Sequence, residues 1–236
     1  MKGLCIIIPV YNEEKNIKKI FFKLKKLKII FDILFIEDNS LDNTRNKIIF
    51  LSKNFKNIFY IFRKKKSGVG SAHKVGIKWC YQNKYHKIIT MDADGTHDTK
   101  FIPKLLKSSK NYDMVITSRF KNKNSLSDWP LSRKILTYSR SILCNLLLGI
   151  KVDASGGFRC FHTKKILLKH LINTNSNHYD YFFESIYTLI SNNYSIYELP
   201  INLPFRKIGQ SKMNFFHICI AIASLLRIRF NSKKVI

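Results

Sequence analysis

The sequence predicts an α/β fold, a mainly parallel central sheet with helices on both faces, and three observations predict it. Short continuous apolar runs recur along the chain, as strands buried on both faces require. Stretches of helical length separate them, so strand and helix alternate as in βαβ units. Carboxylates gather where these runs end, on the edge at which open α/β sheets bind ligands.

The elements follow in order. Leu4, Cys5, Ile6, Ile7, Ile8, Pro9 and Val10 make the first strand. Asn12 is placed to cap the next helix, with Glu13 and Glu14 in its favourable first turn, and a lysine-rich face runs on to about Lys28. A second strand at 33–36 enters the turn from Glu37 to Thr44, and a helix continues to about Ser52. A third strand at 58–62 precedes Arg63-Lys64-Lys65-Lys66-Ser67-Gly68-Val69-Gly70, with a helix from about 71 to 82. Strand 87–92, helix 101–107 and strand 113–120 complete this half. The polar loop 121–128 divides it from an apolar helix at 131–148, a Gly-containing turn at 155–157, helices near 163–172 and 179–192, a strand at 195–201 and a last helix at 214–230.

With 45% hydrophobic and 13% aromatic residues over 236 positions, the chain can bury a core as one large domain with or without an appendage. The net charge of +27 suggests a polyanionic partner: nucleic acid, an anionic membrane or nucleotide phosphates. Abundant Lys, Ile, Asn, Phe and Tyr also fit a codon bias, so the placement of the charge matters more than its sum. Five scattered cysteines without C-x-x-C spacing read as buried reduced thiols. The opening strand predicts no leader peptide, and no apolar run reaches the roughly 20 residues of a spanning helix.

Asp92-Ala93-Asp94 follows an apolar run and enters Gly95-Thr96-His97. Carboxylates at i and i+2 on an extended chain face one way and can share one ligand. Two such donors suit Mg2+ or Mn2+ bridging substrate phosphates, although a strand that simply ends in polar residues leaves the same trace. Glu13 and Asp38 lie on the same predicted edge, and each also reads as a helix cap. Gly68 and Gly70 suggest a weak phosphate cradle without Walker spacing. Residues 63–66 read either as a loop over a nucleotide or as a solvated charge run. His97 reads as a residue beside the site or on the surface.

Pro9-Val10-Tyr11-Asn12-Glu13, Ile36-Glu37-Asp38-Asn39-Ser40, Asp42-Asn43-Thr44 and Met91-Asp92-Ala93-Asp94 together resemble a family 2 glycosyltransferase of GT-A fold. The likeness continues through Ser118-Arg119-Phe120, Trp129-Pro130-Leu131-Ser132-Arg133-Lys134, Ser155-Gly156-Gly157-Phe158-Arg159, Arg206 and Gly209-Gln210-Ser211-Lys212. Their order is similar to that of polyprenyl-phosphate (dolichol-phosphate) mannosyltransferases. The resemblance implies that Pro9, Tyr11 and Glu13 hold the nucleoside and that Ile36 and Asp38 contact base and ribose. It implies that Asp92 and Asp94 bind the metal–diphosphate, with Ala93 contributing its backbone and Thr96 standing where the family has a neutral oxygen ligand. Arg119, Arg206 and Lys212 would meet the donor phosphates, Asp92, Asp94 and Arg119 forming the catalytic set, and Arg133 would meet the acceptor phosphate. Glu37 in place of an aspartate, Thr96 in place of Gln or Ser, and Gly95 in place of Leu depart from the family pattern without removing a carboxylate.

The expected function is an inverting transfer of a sugar, mannose first, from a nucleotide-diphosphate sugar (GDP-mannose ahead of UDP-glucose) to a polyprenyl phosphate. Such an acceptor is already an anion, which accounts for the lack of a compelling catalytic histidine. The runner-up uses a glycan or lipid-headgroup acceptor and needs a base, for which Glu184 is a candidate beside its plainer reading as a buried helix residue. A nucleotidyltransferase lacks its Gly-rich loop here, a non-catalytic scaffold would not need Asp92 and Asp94, and no nucleic-acid module is present. From Leu199 onward there are seven Lys/Arg and no Asp or Glu. Residues 1–212 are therefore expected to form the catalytic domain, and 213–236 a basic, apolar helix, either membrane-interfacial or packed on the core. The expected location is cytoplasmic, peripheral on the cytoplasmic face of a membrane, and a separate membrane subunit is among the candidate partners.

Overall fold

The computed structural model describes residues 2–122, 124–202 and 215–232, with the side chains of 215–218 and 231–232 outside that description. Seven strands form one sheet in the order β3-β2-β1-β4-β6-β5-β7. They are β1 (Lys2–Val10), β2 (Asp32–Glu37), β3 (Ile58–Phe62), β4 (Tyr85–Thr90), β5 (Met114–Ser118), β6 (Arg159–His162) and β7 (Ile196–Pro200). β6 runs antiparallel to both its neighbours, and the other pairings are parallel.

Alternation along each strand builds two cores. In β1, Cys5 and Ile7 face one side, while Leu4, Ile6, Ile8 and Val10 face the other. The second side is covered by α1 (Glu14–Lys25), α2 (Thr44–Asn54) and α4 (Ile102–Ser108). The first is covered by α3 (Val69–Gln82), α5 (Leu131–Leu148), α6 (Leu168–Ile172), α7 (Tyr181–Ser191) and α8 (Phe215–Ser232). On α1 the pattern is plain: Ile17, Ile20, Phe21 and Leu24 fall on one face and are all buried, while lysines fill the other.

β6 is absent from the sequence expectation. It has four residues, opens on an arginine and follows two glycines, so neither length nor periodicity announces it. The helix expected at 163–172 shrinks to α6, because turns occupy 163–166. β4 ends at Thr90, so Asp92 and Asp94 stand on a bent loop beyond the strand instead of alternating along it. Of the cysteines, Cys5, Cys80, Cys144 and Cys160 are buried, while Cys219 is exposed.

The β1–β4 ladder stops at the Ile7–Thr90 pair, whereas β1–β2 pairing continues to Val10–Glu37. The chain order reverses at this same point, since β1 leads outward to β2 and β3 on one side and β4 lies on the other. It is the topological switch point at which doubly wound sheets take their ligands.

Candidate active site

One wall of the site is built from the ends of β1, β2 and β3. Asn12 and Asn39 take φ of 51° and 61°, a left-handed conformation that asparagine tolerates, and so turn both strands sharply. The two turns are then sewn together. The Asn12 amide donates to Ser40 Oγ at 2.9 Å, and the Leu41 amide donates to Asn12 Oδ1 at 2.9 Å. The Glu13 amide donates to Thr44 Oγ1 at 2.9 Å, and the Glu14 amide to Asp42 Oδ2 at 3.1 Å. Asn12 therefore locks one loop to the other and does not cap α1. Glu13 holds the N-cap position without a capping bond, and its carboxylate accepts from Asn16 at 2.7 Å.

Glu37 and Asp38 divide their labour. Glu37 is wholly buried and accepts from the Ser40 amide and from Arg45 Nε, the latter at 2.6 Å. Burial would raise its carboxyl, but the Ser40 and Arg45 hydrogen bonds outweigh it and hold it below the ordinary value. Asp38 pairs with Arg63 at 2.9 Å and accepts the amides of Ser67 and Gly68. Arg63 therefore leaves the expected basic loop and turns inward, its side chain 11% exposed. Lys64, Lys65 and Lys66 stay exposed, with Lys66 Nζ 3.8 Å from the centre of the Tyr11 ring.

The glycines at 68 and 70 are packing positions. A Cβ on Gly68 would meet the Asn177 carbonyl oxygen at 2.4 Å, and one on Gly70 would meet Tyr181 Cβ at 2.4 Å. They let the start of α3 press against the 177–181 segment, so packing alone accounts for both glycines. Ile36 is wholly buried, and a Cβ on Gly76 would stand 3.3 Å from it. Its side chain stays in the core, so any nucleoside contact at this position uses backbone. Pro9, partly exposed, pairs with it across the β1–β2 ladder.

The loop after β4 is held by its own side chains. The Thr96 amide and hydroxyl both donate to Asp94 Oδ1, at 2.9 and 2.6 Å. Gly95 takes φ of 83°, which explains a glycine where a leucine would be strained. His97 is buried and stacks on Phe158 at 5.0 Å. Its Nδ1 accepts the Asp92 amide at 2.9 Å, which leaves Nε2 to carry the proton, 3.8 Å from Asp92 Oδ2. His97 thus positions the loop from beneath. Ala93 is buried, while the Asp92 side chain is 42% exposed.

Because β6 is antiparallel, its N-terminal end brings the 155–158 turn to the edge where Asp92 emerges. Thr90 Oγ1 donates to the Gly157 carbonyl at 2.6 Å, and Thr117 Oγ1 to that of Phe158 at 3.2 Å. A Cβ on Gly157 would stand 3.6 Å from Asp92 Oδ1, and one on Gly156 3.8 Å from an Arg119 terminal nitrogen. Gly157 packs tightest on Phe182, where a Cβ would stand at 3.3 Å, and the turn borders the space beside both the carboxylate and the guanidinium.

Sequence reasoning missed the supports of this space. Arg119 donates from Nε and from its amide to Asp153 Oδ2, at 3.0 and 3.1 Å. Burial would raise the Asp153 carboxyl, yet Arg119 and Ser155 hold it below the ordinary value. Arg159 is buried and donates to the carbonyls of Gly156 (2.8 Å), Ala154 (3.3 Å) and Phe182 (2.8 Å). For Arg159, set between Phe158 and Cys160-Phe161, a charge inside an apolar run was the available signal. Arg140 lines a small cavity beside them with Phe120, Asp153 and Ser155.

Arg133 sits in the first turn of α5, and Trp129, just before that helix, lies 6.0 Å from the Arg119 guanidinium. Glu184, the candidate base, accepts the amides of Asn175 and Ser176 and a bond from Arg227. It is an anchor of the fold. Arg206 and Lys212 lie outside the described residues.

Asp92, Glu13, Asp38 and Asp94 thus reach one edge with Arg119 opposite. No three His, Cys, Asp or Glu side chains converge on a metal position among the described residues. The two loop carboxylates fit an open Mg2+ or Mn2+ site completed by substrate phosphates and water.

The glycosyl transferase family 2 model matches residues 5–175. Undecaprenyl-phosphate mannosyltransferase of Micrococcus luteus is 27% identical over 222 residues, covering 94% of this chain and 91% of that protein. Polyprenol monophosphomannose synthase of Mycolicibacterium smegmatis is 28% identical over 212 residues, covering 89% and 80%. Among solved structures, glucosyl-3-phosphoglycerate synthase of Mycobacterium tuberculosis with Mn2+, UDP-glucose and phosphoglyceric acid gives a TM-score of 0.69 at 14% identity, covering 97% and 80%. Its complex with Mg2+ and UDP gives 0.65 at 15% identity, covering 96% and 79%. The architecture is GT-A-like, and the chain belongs to glycosyl transferase family 2.

Proposed function

We propose that the protein moves mannose from a nucleotide-diphosphate sugar, GDP-mannose ahead of UDP-glucose, to a polyprenyl phosphate, with inversion at the anomeric carbon. The observation that carries this reading is the Gly156-Gly157 turn, which runs beside both Asp92 and Arg119 at the sheet's switch point. The two mannosyltransferase relatives, matched over most of their length, support the acceptor class.

Pro9, Tyr11, Glu13, the Ile36 backbone and Asp38 hold the nucleoside in the sewn double turn. Asp92 and Asp94, the latter aligned by Thr96, would hold Mg2+ or Mn2+ beside the diphosphate. A divalent cation there supplies positive charge to the departing nucleotide. Arg119, with Arg206 and Lys212, neutralises the same developing charge, which is most of the catalysis this reaction needs. Arg133 receives the acceptor phosphate. One of its oxygens bonds to the anomeric carbon as the bond from that carbon to the diphosphate oxygen breaks. The acceptor arrives deprotonated, so no protein base takes a proton. Residues 1–212 do this work, and residues 213–236 keep the enzyme at the cytoplasmic face of the membrane, alone or with a separate membrane subunit.

The test is incubation with a panel of radiolabelled nucleotide sugars and a short polyprenyl phosphate, with and without Mn2+. Metal-dependent lipid-linked mannose is the expected product. Labelled glycan acceptors with no lipid-linked sugar would overturn the acceptor assignment.

A further inference from the structure

The loop between α6 and α7, residues 173–180, has no regular structure, so side chains must satisfy its backbone. Two buried carboxylates do so. Glu184 accepts the amides of Asn175 (3.0 Å) and Ser176 (2.9 Å), and Asp180 accepts that of His178 at 3.0 Å. Each carboxylate then takes a further partner from the C-terminal helix. Ser224 of α8 donates to Asp180 Oδ2 at 2.7 Å. Arg227, one turn on, donates to Glu184 Oε2 at 3.2 Å and to Ser176 Oγ at 3.1 Å. Leu225 and Ile228 bury the same helix in the core, but apolar contact alone does not fix a register. The directional bonds from Ser224 and Arg227 do.

The other side of the loop bears on the start of α3 without slack. The Ser71 amide donates to the Asn177 carbonyl at 3.0 Å, and Lys74 Nζ to that of Thr174 at 2.9 Å. Asn177 and His178 fill the space that a Cβ on Gly68 would need. From there the bonds run on to Asp38. Arg63 donates to Ser71 Oγ at 2.6 Å and pairs with Asp38 at 2.9 Å, and the Asp38 carboxylate also takes the Ser67 and Gly68 amides. The groups that bind this carboxylate therefore stand where the 174–178 backbone puts them, and that backbone stands where α8 fastens it.

We propose that Asp180, Glu184, Ser224 and Arg227 are positioning residues for the donor: α8 holds the 173–180 loop, and through it Asp38, in the arrangement that receives a nucleoside diphosphate. The inference rests on the reading that Asp38 meets the nucleoside. It adds that the donor pocket is completed from the other end of the chain, by a helix that reaches Asp38 only through the loop. A pocket shaped before binding loses less to ordering, so loosening α8 weakens donor affinity. Contiguous hydrogen bonds between packed elements are the means by which such an effect travels.

The test pairs calorimetric binding of GDP and of UDP, with Mn2+, to the whole chain with amide hydrogen exchange over residues 67–71. Ser224→Ala leaves the buried Asp180 Oδ2 short of a donor. It should raise the Kd of the nucleotide that wild type binds by about 3- to 30-fold. Exchange at 67–71 should quicken while exchange in β1 keeps its wild-type rate. Arg227→Met cuts the second tie from a half-buried position and should act in the same direction, which covers a Ser224→Ala protein that does not fold. Loss of folded protein alone would lower the binding stoichiometry and leave Kd unchanged, so the two effects are read apart. An unchanged Kd in both variants overturns the proposal, and so does unchanged exchange at 67–71. Quickened exchange in a protein whose wild type binds neither GDP nor UDP would retire the donor reading and the positioning role with it.

Discussion

The two walls of the site are built by opposite means. On one side, the turns after β1 and β2 are joined by side-chain-to-backbone bonds, and Glu37, Asp38, Arg45 and Arg63 brace the loops around them. On the other side, one buried pair, Arg119 with Asp153, ties the end of β5 to the turn before β6. The first wall is thus held by many shared bonds, and the second rests on a single ion pair whose loss strands a buried charge.

The sharpest way to break this comparison is at the point where the walls meet. Asp92→Asn should lower turnover by at least ~10²-fold, the scale of losing one preorganised electrostatic contact. Its melting temperature should stay near wild type, because the side chain is partly exposed. Retained turnover would refute the metal role. Arg119→Ala comes next. It should cut turnover by about 10²-fold, and by stranding the buried Asp153 carboxylate it should cost about 3–5 kcal/mol of stability in urea unfolding. An activity loss with unchanged stability would mean that the Arg119–Asp153 pair does not hold this wall together.

The wall of bonded turns should answer in stability first. Glu37→Gln removes the charged partner of Arg45 and should cost about 1.5–3 kcal/mol in the same unfolding assay. A donor KM that rises together with the stability loss would sharpen the view that these bonds shape the nucleoside pocket.

His73 on α3 packs between the sheet and α7, stacked near Tyr181 and edge-on to Phe182, with no partner for Nε2 among the described residues. Burial, with Arg159 adding to it, pulls its pKa from 6.5 down to about 3. The unfolded chain therefore binds a proton near pH 6.5 that the folded chain refuses. Stability from this group is full above pH 6.5 and falls as pH drops toward 3, by up to about 1.4 kcal/mol per pH unit. His73→Phe should flatten that slope in urea titrations between pH 6 and 4. The smallest effect belongs to Lys66→Ala, which loses the contact with Tyr11 and should raise the donor KM by about threefold.

Much of the fold was legible because β1 to β5 are apolar runs separated by helices, and the carboxylate edge followed from where those runs end. β6 was not, since four residues opening on Arg159 carry no period. Its reversed direction is what brings Gly156 and Gly157 to Asp92, so the site's far wall was hidden with it. Arg63 read as part of a basic loop, and nothing in the sequence marked Asp153 or the role of Arg159, because their partners are brought to them only by the fold. Gly68 and Gly70 looked like a phosphate loop, because tight packing and phosphate binding both require the absence of a Cβ. Residues 131–148 read in the sequence simply as an apolar helix. Only the packing reveals that its apolar side faces outward.

The most direct test of the account is mannosyl transfer from labelled GDP-mannose to a short polyprenyl phosphate in detergent with Mn2+. Wild type and Asp92→Asn should be compared, with and without a chelator. Lipid-linked mannose should form with wild type and disappear with the chelator and with Asp92→Asn. Undiminished transfer by Asp92→Asn, or label appearing only in a non-lipid acceptor, would contradict the account.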